Sequence, residues 1–309
     1  MSKNFESIGK LFMRKKASVV IGCLVLMGII GYIWLAKKAE TFFFYPDSVD
    51  YGSSPAQQNF QFETLTIESS DGIQLNGWLV PAVINEAGQQ NATQAKGTVI
   101  HVHGNAANIT NHWSFIAWLP SQGYNVLTFD YRGYGQSDPV QPTIKGLYED
   151  TTATIHYALN RSDLKNMPIF MLGQSLGGNN TLAALAKMPL ESRERICAAV
   201  IDSTFYSYSS IASDKVSGAG ILLSNAYSAN KSLEVLSDLS MLFLHGMADR
   251  IIPYQHSEQL YALQSENRTL VLVEGADHLA ALYRPMFGER YINEVTQYLD
   301  SERQKCVQK

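Results

Sequence analysis

Pro168-Ile169-Phe170-Met171-Leu172-Gly173-Gln174-Ser175-Leu176-Gly177-Gly178 runs from an apolar stretch through a G-x-S-x-G turn straight into a helical pattern over 176–187. The apolar residues suit a strand buried on both faces. A strand that reverses into a helix over so few residues needs glycine wherever a Cβ would meet backbone. The same sharp turn holds the serine oxygen exposed above the sheet. Glycine is common, so the motif by itself is weak. Its position between a strand and a helix gives it weight.

Outward from that turn, short apolar runs recur at 98–102, 126–130, 169–172, 198–201, 241–244 and 269–273. Helical stretches lie between them, near 112–122, 146–160, 176–187, 254–264 and 288–301. Residues 60–67 and 73–80 read as an antiparallel opening pair around Asp71-Gly72, and 85–97 as a polar loop. Strands alternating with helices predict an α/β fold, with a mostly parallel eight-stranded sheet and helices on both faces. One domain over 60–309 fits better than two. The segment of about 205–240 is expected to form a small cap.

A serine hydroxyl attacks only with a base beside it, and the base needs a group to hold its tautomer. Both stand at strand ends. His245-Gly246-Met247-Ala248-Asp249 follows the run 241–244 and offers Asp249, and Gly275-Ala276-Asp277-His278 follows 269–273 and offers His278. The chain order Ser175, Asp249, His278 is the α/β-hydrolase order. His101 within a strand, and His112 and His156 in or beside helices, read as structural or solvated. His256 is a weak rival to His278, Asp202 is the runner-up to Asp249, and Asp277 is too close in sequence to orient its neighbour. An oxyanion hole needs two backbone N–H donors. Asn105 in His103-Gly104-Asn105-Ala106 is expected to give one and Leu176 the other. The loop Asp130-Tyr131-Arg132-Gly133-Tyr134-Gly135-Gln136-Ser137 reads as architecture held by its arginine.

Residues 17–36 carry no charge, and at about 1.5 Å per residue such a helix spans roughly 30 Å, a hydrocarbon core. This predicts a transmembrane anchor after a basic tail at 1–16, with a linker over 37–59. Lys3, Lys10, Arg14, Lys15 and Lys16 precede it and only Lys37 and Lys38 follow closely, which places the N-terminus in the cytoplasm and the domain outside it, periplasmic in a bacterium. A cleaved signal peptide fits poorly, because Trp34-Leu35-Ala36-Lys37 offers no small-residue cut site. The formal charge is −4; taking away the +6 of residues 1–38 leaves −10 on the rest, which argues against nucleic acid as a partner. Hydrophobic residues at 46% against 17% charged ones supply a core and exclude a disordered chain. Cys23, Cys197 and Cys306 are too few for a disulfide framework and are expected as unpaired thiols, and no metal-ligand spacing is present.

From Phe42 onward the chain resembles the membrane-anchored α/β-hydrolase-domain proteins, near the serine aminopeptidase-like hydrolases. The resemblance rests on Phe44-Tyr45-Pro46, on His103-Gly104-Asn105-Ala106-Ala107-Asn108, on 130–137, on 173–178 and on 245–253. It implies a Ser-Asp-His hydrolase of ester or lipid-acyl substrates. The chain departs from the group after His278, where Leu279-Ala280-Ala281-Leu282 stands in place of a polar segment. A carboxylic ester hydrolase that needs no cofactor or metal is the leading expectation, with an acyl or lipid-like ester as substrate. A peptidase or acyltransferase on the same residues is the alternative, and a non-catalytic membrane scaffold a remote one. A dehalogenase would carry Asp where Ser175 stands.

Overall fold

The computed structural model describes residues 2–85, 87–263 and 266–308, and of residues 2–19 the helical backbone alone. It divides into two compact units, Met1–Phe43 and Phe44–Lys309. The first is one helix, α1 (Ser2–Phe43). Its stretch Val20–Phe43 is long and apolar enough to cross a membrane by length and composition.

The second unit is built on an eight-stranded sheet. Its strands are β2 (Glu63–Glu68), β3 (Gln74–Val80), β4 (Gly97–Val102), β6 (Tyr124–Phe129), β7 (Ile169–Gln174), β8 (Ile196–Asp202), β9 (Ser240–Gly246) and β10 (Arg268–Val273). Two further short strands, β1 (Tyr45–Pro46) and β5 (Ala106–Ala107), pair with each other in parallel. The main sheet runs β10-β9-β8-β7-β4-β6-β3-β2. The six strands β10 to β6 are parallel to their neighbours, and β3 and β2 are antiparallel. Every residue of β4, β6 and β7 is buried, as strands covered on both faces must be. Edge strand β2 alternates exposed and buried residues instead. Eight strands, two of them antiparallel, are what the sequence predicts.

The helices are α2 (Ile109–Ile116), α3 (Ile144–Asn160), α4 (Leu176–Lys187), α5 (Leu190–Arg193), α6 (Tyr208–Lys215), α7 (Ala229–Leu233), α8 (Gln255–Ala262), α9 (Arg284–Phe287) and α10 (Arg290–Val307). The stretch expected as one helix over 112–122 is α2 followed by a separate 3-10 turn, Pro120–Gln122. Proline at 120 has no N–H to continue the ladder, so the helix ends there. Between β8 and β9 lie only α6, the 3-10 turn Ala219–Leu222 and α7. Asn179 of α4 ties this segment down at its start and at the head of α7, donating to Phe205 O at 2.7 Å and accepting from Ala229 N at 2.8 Å. Arg132 secures the 130–137 loop, reaching Asp150 at 2.7 Å and Asp71 at 2.6 Å.

One expectation is overturned. Cys197 and Cys306 are not free thiols but form a disulfide, with their Cα atoms 5.5 Å apart. Cys306 lies on α10 rather than in a polar tail, and it extends the buried stripe Val295, Leu299 and Glu302 at helical spacing. The bridge joins residues 109 apart, and cross-links of that span stabilise a fold by about 2–5 kcal/mol. The double variant Cys197→Ser/Cys306→Ser should lose about 3 kcal/mol in urea unfolding of the oxidised protein. A wild-type midpoint that does not move when reductant is added would contradict this.

Candidate active site

Ser175 occupies the turn between β7 and α4 with φ 55° and ψ −119°. This is a sparsely populated conformation for a residue with a side chain, and it is held from three directions. Ser175 N donates to Asp202 O at 2.8 Å, while Ser175 O accepts from Thr204 Oγ1 at 2.7 Å and from Gly178 N at 3.0 Å. Gly177 is required because a Cβ there would lie 1.9 Å from Val102 O at the end of β4. The first turn of α4 thus rests directly on backbone.

The side chain of Asp249, just past β9, is buried, and its Oδ2 lies 2.7 Å from His278 Nδ1 and 3.1 Å from His245 Nε2. Its Oδ1 accepts the backbone N–H groups of Ile251 and Ile252, each at 2.8 Å. Burial by itself would raise the carboxyl. The hydrogen bonds from His245 and His278, with the attraction of His278, reverse this and hold it well below the usual carboxylate range. His245 also meets Ile252 O through Nε2 at 2.9 Å and Ser257 Oγ through Nδ1 at 2.7 Å. A carbonyl can only accept, so the proton sits on Nε2 of His245. The role of His245 was not anticipated from sequence, though its placement four residues before Asp249 was visible.

The rival acids are engaged elsewhere. Asp202 accepts from Gln174 Nε2 at 3.0 Å and Ser203 Oγ at 2.9 Å, and burial raises its carboxyl. Asp277 takes Arg250 Nε at 2.8 Å and the backbone N–H groups of Arg250 and His278. It therefore clasps the two loops that carry Asp249 and His278. Among the rival bases, His101 lies between Thr128 and Gln174, and burial lowers it to about 3. His112 donates to Ala106 O at 3.0 Å and is lowered by burial to about 4. His256 bonds Asp214 at 2.7 Å.

The loop after β4 lies over the serine. A Cβ on Gly104 would be 3.5 Å from Ser175 Cβ and 3.1 Å from His112 Cε1. Next to it, Asn105 accepts the Tyr134 hydroxyl at its backbone oxygen, 2.8 Å, and at Oδ1, 3.1 Å. Tyr131 holds His103 O at 2.9 Å in the same way. Leu176 opens α4, where N–H groups have no acceptor within the helix. Among the described residues no hydrogen bond joins the Ser175 hydroxyl to the His278 ring. Leu279, Ala280, Ala281 and Leu282, which depart from the polar pattern of the group, are buried. The last three pack with Trp78 and Trp113 in the core.

The family described as serine aminopeptidase, S33, matches residues 93–229. YfhR of Salmonella typhimurium is 40% identical over 282 residues, 89% of this chain and 91% of that protein. The α/β-hydrolase domain-containing protein WAV2 of Arabidopsis thaliana is 26% identical over 230 residues, 70% of each chain. Among solved structures, the Pyrococcus furiosus esterase Pf2001 superposes with a TM-score of 0.67 at 19% identity, covering 84% of this chain and 98% of its own. At that identity it shows a shared fold. With 40% identity to YfhR over nearly nine-tenths of its length, the chain belongs to the same α/β-hydrolase family as YfhR, and its stretch 93–229 is similar to the S33 model.

Proposed function

We propose that this chain is a membrane-anchored serine hydrolase that cleaves carboxylic esters of acyl or lipid-like substrates. The observation that carries the reading is the 2.7 Å Asp249–His278 bond beyond β9 and β10, on the same sheet end as the strained turn at Ser175. In this scheme Ser175 Oγ attacks the ester carbonyl as His278 Nε2 takes its proton, and Asp249 holds the Nδ1–H. The backbone N–H groups of Asn105 and Leu176 receive the oxyanion. The tetrahedral intermediate then collapses, the alcohol leaves with the proton from His278, and water frees the acid from the acyl-enzyme by the same steps. Serine–imidazole bonds are often loose without substrate and tighten in the complex. The description of the matching family favours a second reading, a peptidase on the same residues. Comparing p-nitrophenyl esters with amino-acid p-nitroanilides separates the two.

Helix α1 serves as the anchor in this reading, with the N-terminus cytoplasmic and the domain outside. Two features support that topology. The flanking basic residues concentrate before the apolar run, and disulfides persist in oxidising compartments rather than in the cytosol.

Ser175→Ala should abolish fluorophosphonate labelling and cut ester turnover by several orders of magnitude; undiminished turnover removes Ser175 from the mechanism. Ser175→Gly should also be inactive but more stable than Ser175→Ala by about 1 kcal/mol. Relief of about 1–3 kcal/mol of backbone strain outweighs the roughly 0.4–1 kcal/mol glycine costs through the unfolded chain. Thermal melts of the two variants decide it. Asp249→Asn should lower kcat by up to about 10⁴-fold and Asp202→Asn far less; the reverse order in folded variants would reassign the acid. A form beginning at Thr41 should keep turnover of soluble esters yet lose much of its rate on esters in vesicles, because tethering raises their effective concentration. Equal losses on both would leave the membrane-substrate idea unsupported.

A further inference from the structure

The segment 44–53, first in the second unit, is stitched to the loop over Ser175. Tyr45 and Pro46 pair in parallel with Ala106 and Ala107. The buried Asn108 side chain donates to Asp47 Oδ1 at 3.1 Å, Asp47 O at 3.3 Å and Val49 O at 2.8 Å. Its Oδ1 meanwhile caps α2 by accepting Thr110 N at 3.0 Å. Further along, Tyr51 N donates to Thr110 Oγ1 and Ser53 N to Thr110 O, both at 3.0 Å. Asp47 O also accepts Gly135 N at 2.8 Å, and Tyr134, the residue before Gly135, holds Asn105 through its hydroxyl.

These bonds hold a costly conformation. Ala107 has φ 60°, a left-handed backbone that costs a residue with a Cβ about 1–2 kcal/mol. Such geometry persists only where its surroundings over-determine it. Asn105 is two residues away, so a shift in the pairing at 106 and 107 shifts its peptide.

We infer that segment 44–53 is a positioning strap for turnover, with Asp47 as its main positioning residue, setting where the Asn105 N–H stands relative to Ser175. The inference rests on reading that N–H as an oxyanion donor. The strap follows α1 directly in sequence, so the covalent link to the anchor passes through the element that fixes this donor.

The test uses the full chain in detergent micelles, with p-nitrophenyl acetate turnover and amide hydrogen exchange over 103–110. Asp47→Ala should raise exchange in that loop and lower kcat by roughly 10-fold, a fraction of what losing an oxyanion donor costs, while KM stays within about twofold. Pro46→Gly should act in the same direction. Asp47→Asn should restore most of kcat, because its amide oxygen still accepts from Asn108. Loop exchange unchanged in Asp47→Ala and Pro46→Gly overturns the inference, and so does raised exchange with unchanged kcat. A wild-type rate equal to that of Ser175→Ala would instead overturn the esterase reading, and exchange alone would then decide whether the strap holds the loop.

Discussion

The close approach of Gly177 to the end of β4 is the contact on which the rest of the site depends. With no side chain at 177, the first turn of α4 can lie on Val102 O, where a Cβ would come within 1.9 Å. That contact forces the chain to turn at Ser175 rather than after it, and so produces the serine's positive φ. It also brings the serine beneath Gly104, whose added Cβ would stand at ordinary contact, 3.5 Å, from Ser175 Cβ. A larger residue at 177 would not merely crowd the site. It would separate α4 from β4 and remove the geometry that lifts the serine off the sheet.

Around this fixed point the electrostatics run in opposite directions. Asp202 is buried with two neutral donors and is pushed toward its neutral form, whereas Asp249 receives two imidazoles and two backbone N–H groups and is pushed toward its charged form. Two carboxylates at neighbouring strand ends are thus separated in character by what donates to them. His245 is part of that separation. Its Nε2–H bond to Asp249 adds to that from His278, and Ser257 and Ile252 fix the tautomer that provides it.

Much of the fold was legible because it rests on local pattern. The buried runs of β4, β6 and β7 have no alternation, and the glycines at 173, 177 and 178 mark a turn that the strand and helix on either side confirm. What escaped depends on distance. The β1–β5 pairing is two residues long and spans about sixty residues of chain, so neither partner shows a strand pattern. Tyr131 and Tyr134 read as loop residues, yet their hydroxyls hold His103 and Asn105 from 28 and 29 residues away. The disulfide had a local signal, since Cys306 sits four residues beyond Glu302 on one helix face, but the polar composition of the C-terminus concealed it.

The disulfide also bears on how the site divides. Ser175 and the loop at 103–105 belong to the centre of the sheet, where β4 and β7 are covered on both faces and flanked on both sides. Asp249 and His278 follow β9 and β10, and β10 is an edge strand whose middle residues are only half-buried. Edges open locally at lower free energy than centres. The bridge from β8 to α10 closes a loop that contains both of these strands and leaves the serine outside it. A cross-link placed there acts on the half of the site that the sheet secures least. Tyr298 of α10, bonded to Ser240 at the start of β9, and Asp300, bonded to Lys96 and Tyr124, pin the same helix to the sheet without it. Asp249 and His278 are therefore held by α10 and its staple, whereas Ser175 is held by the strand, turn and helix of its own segment.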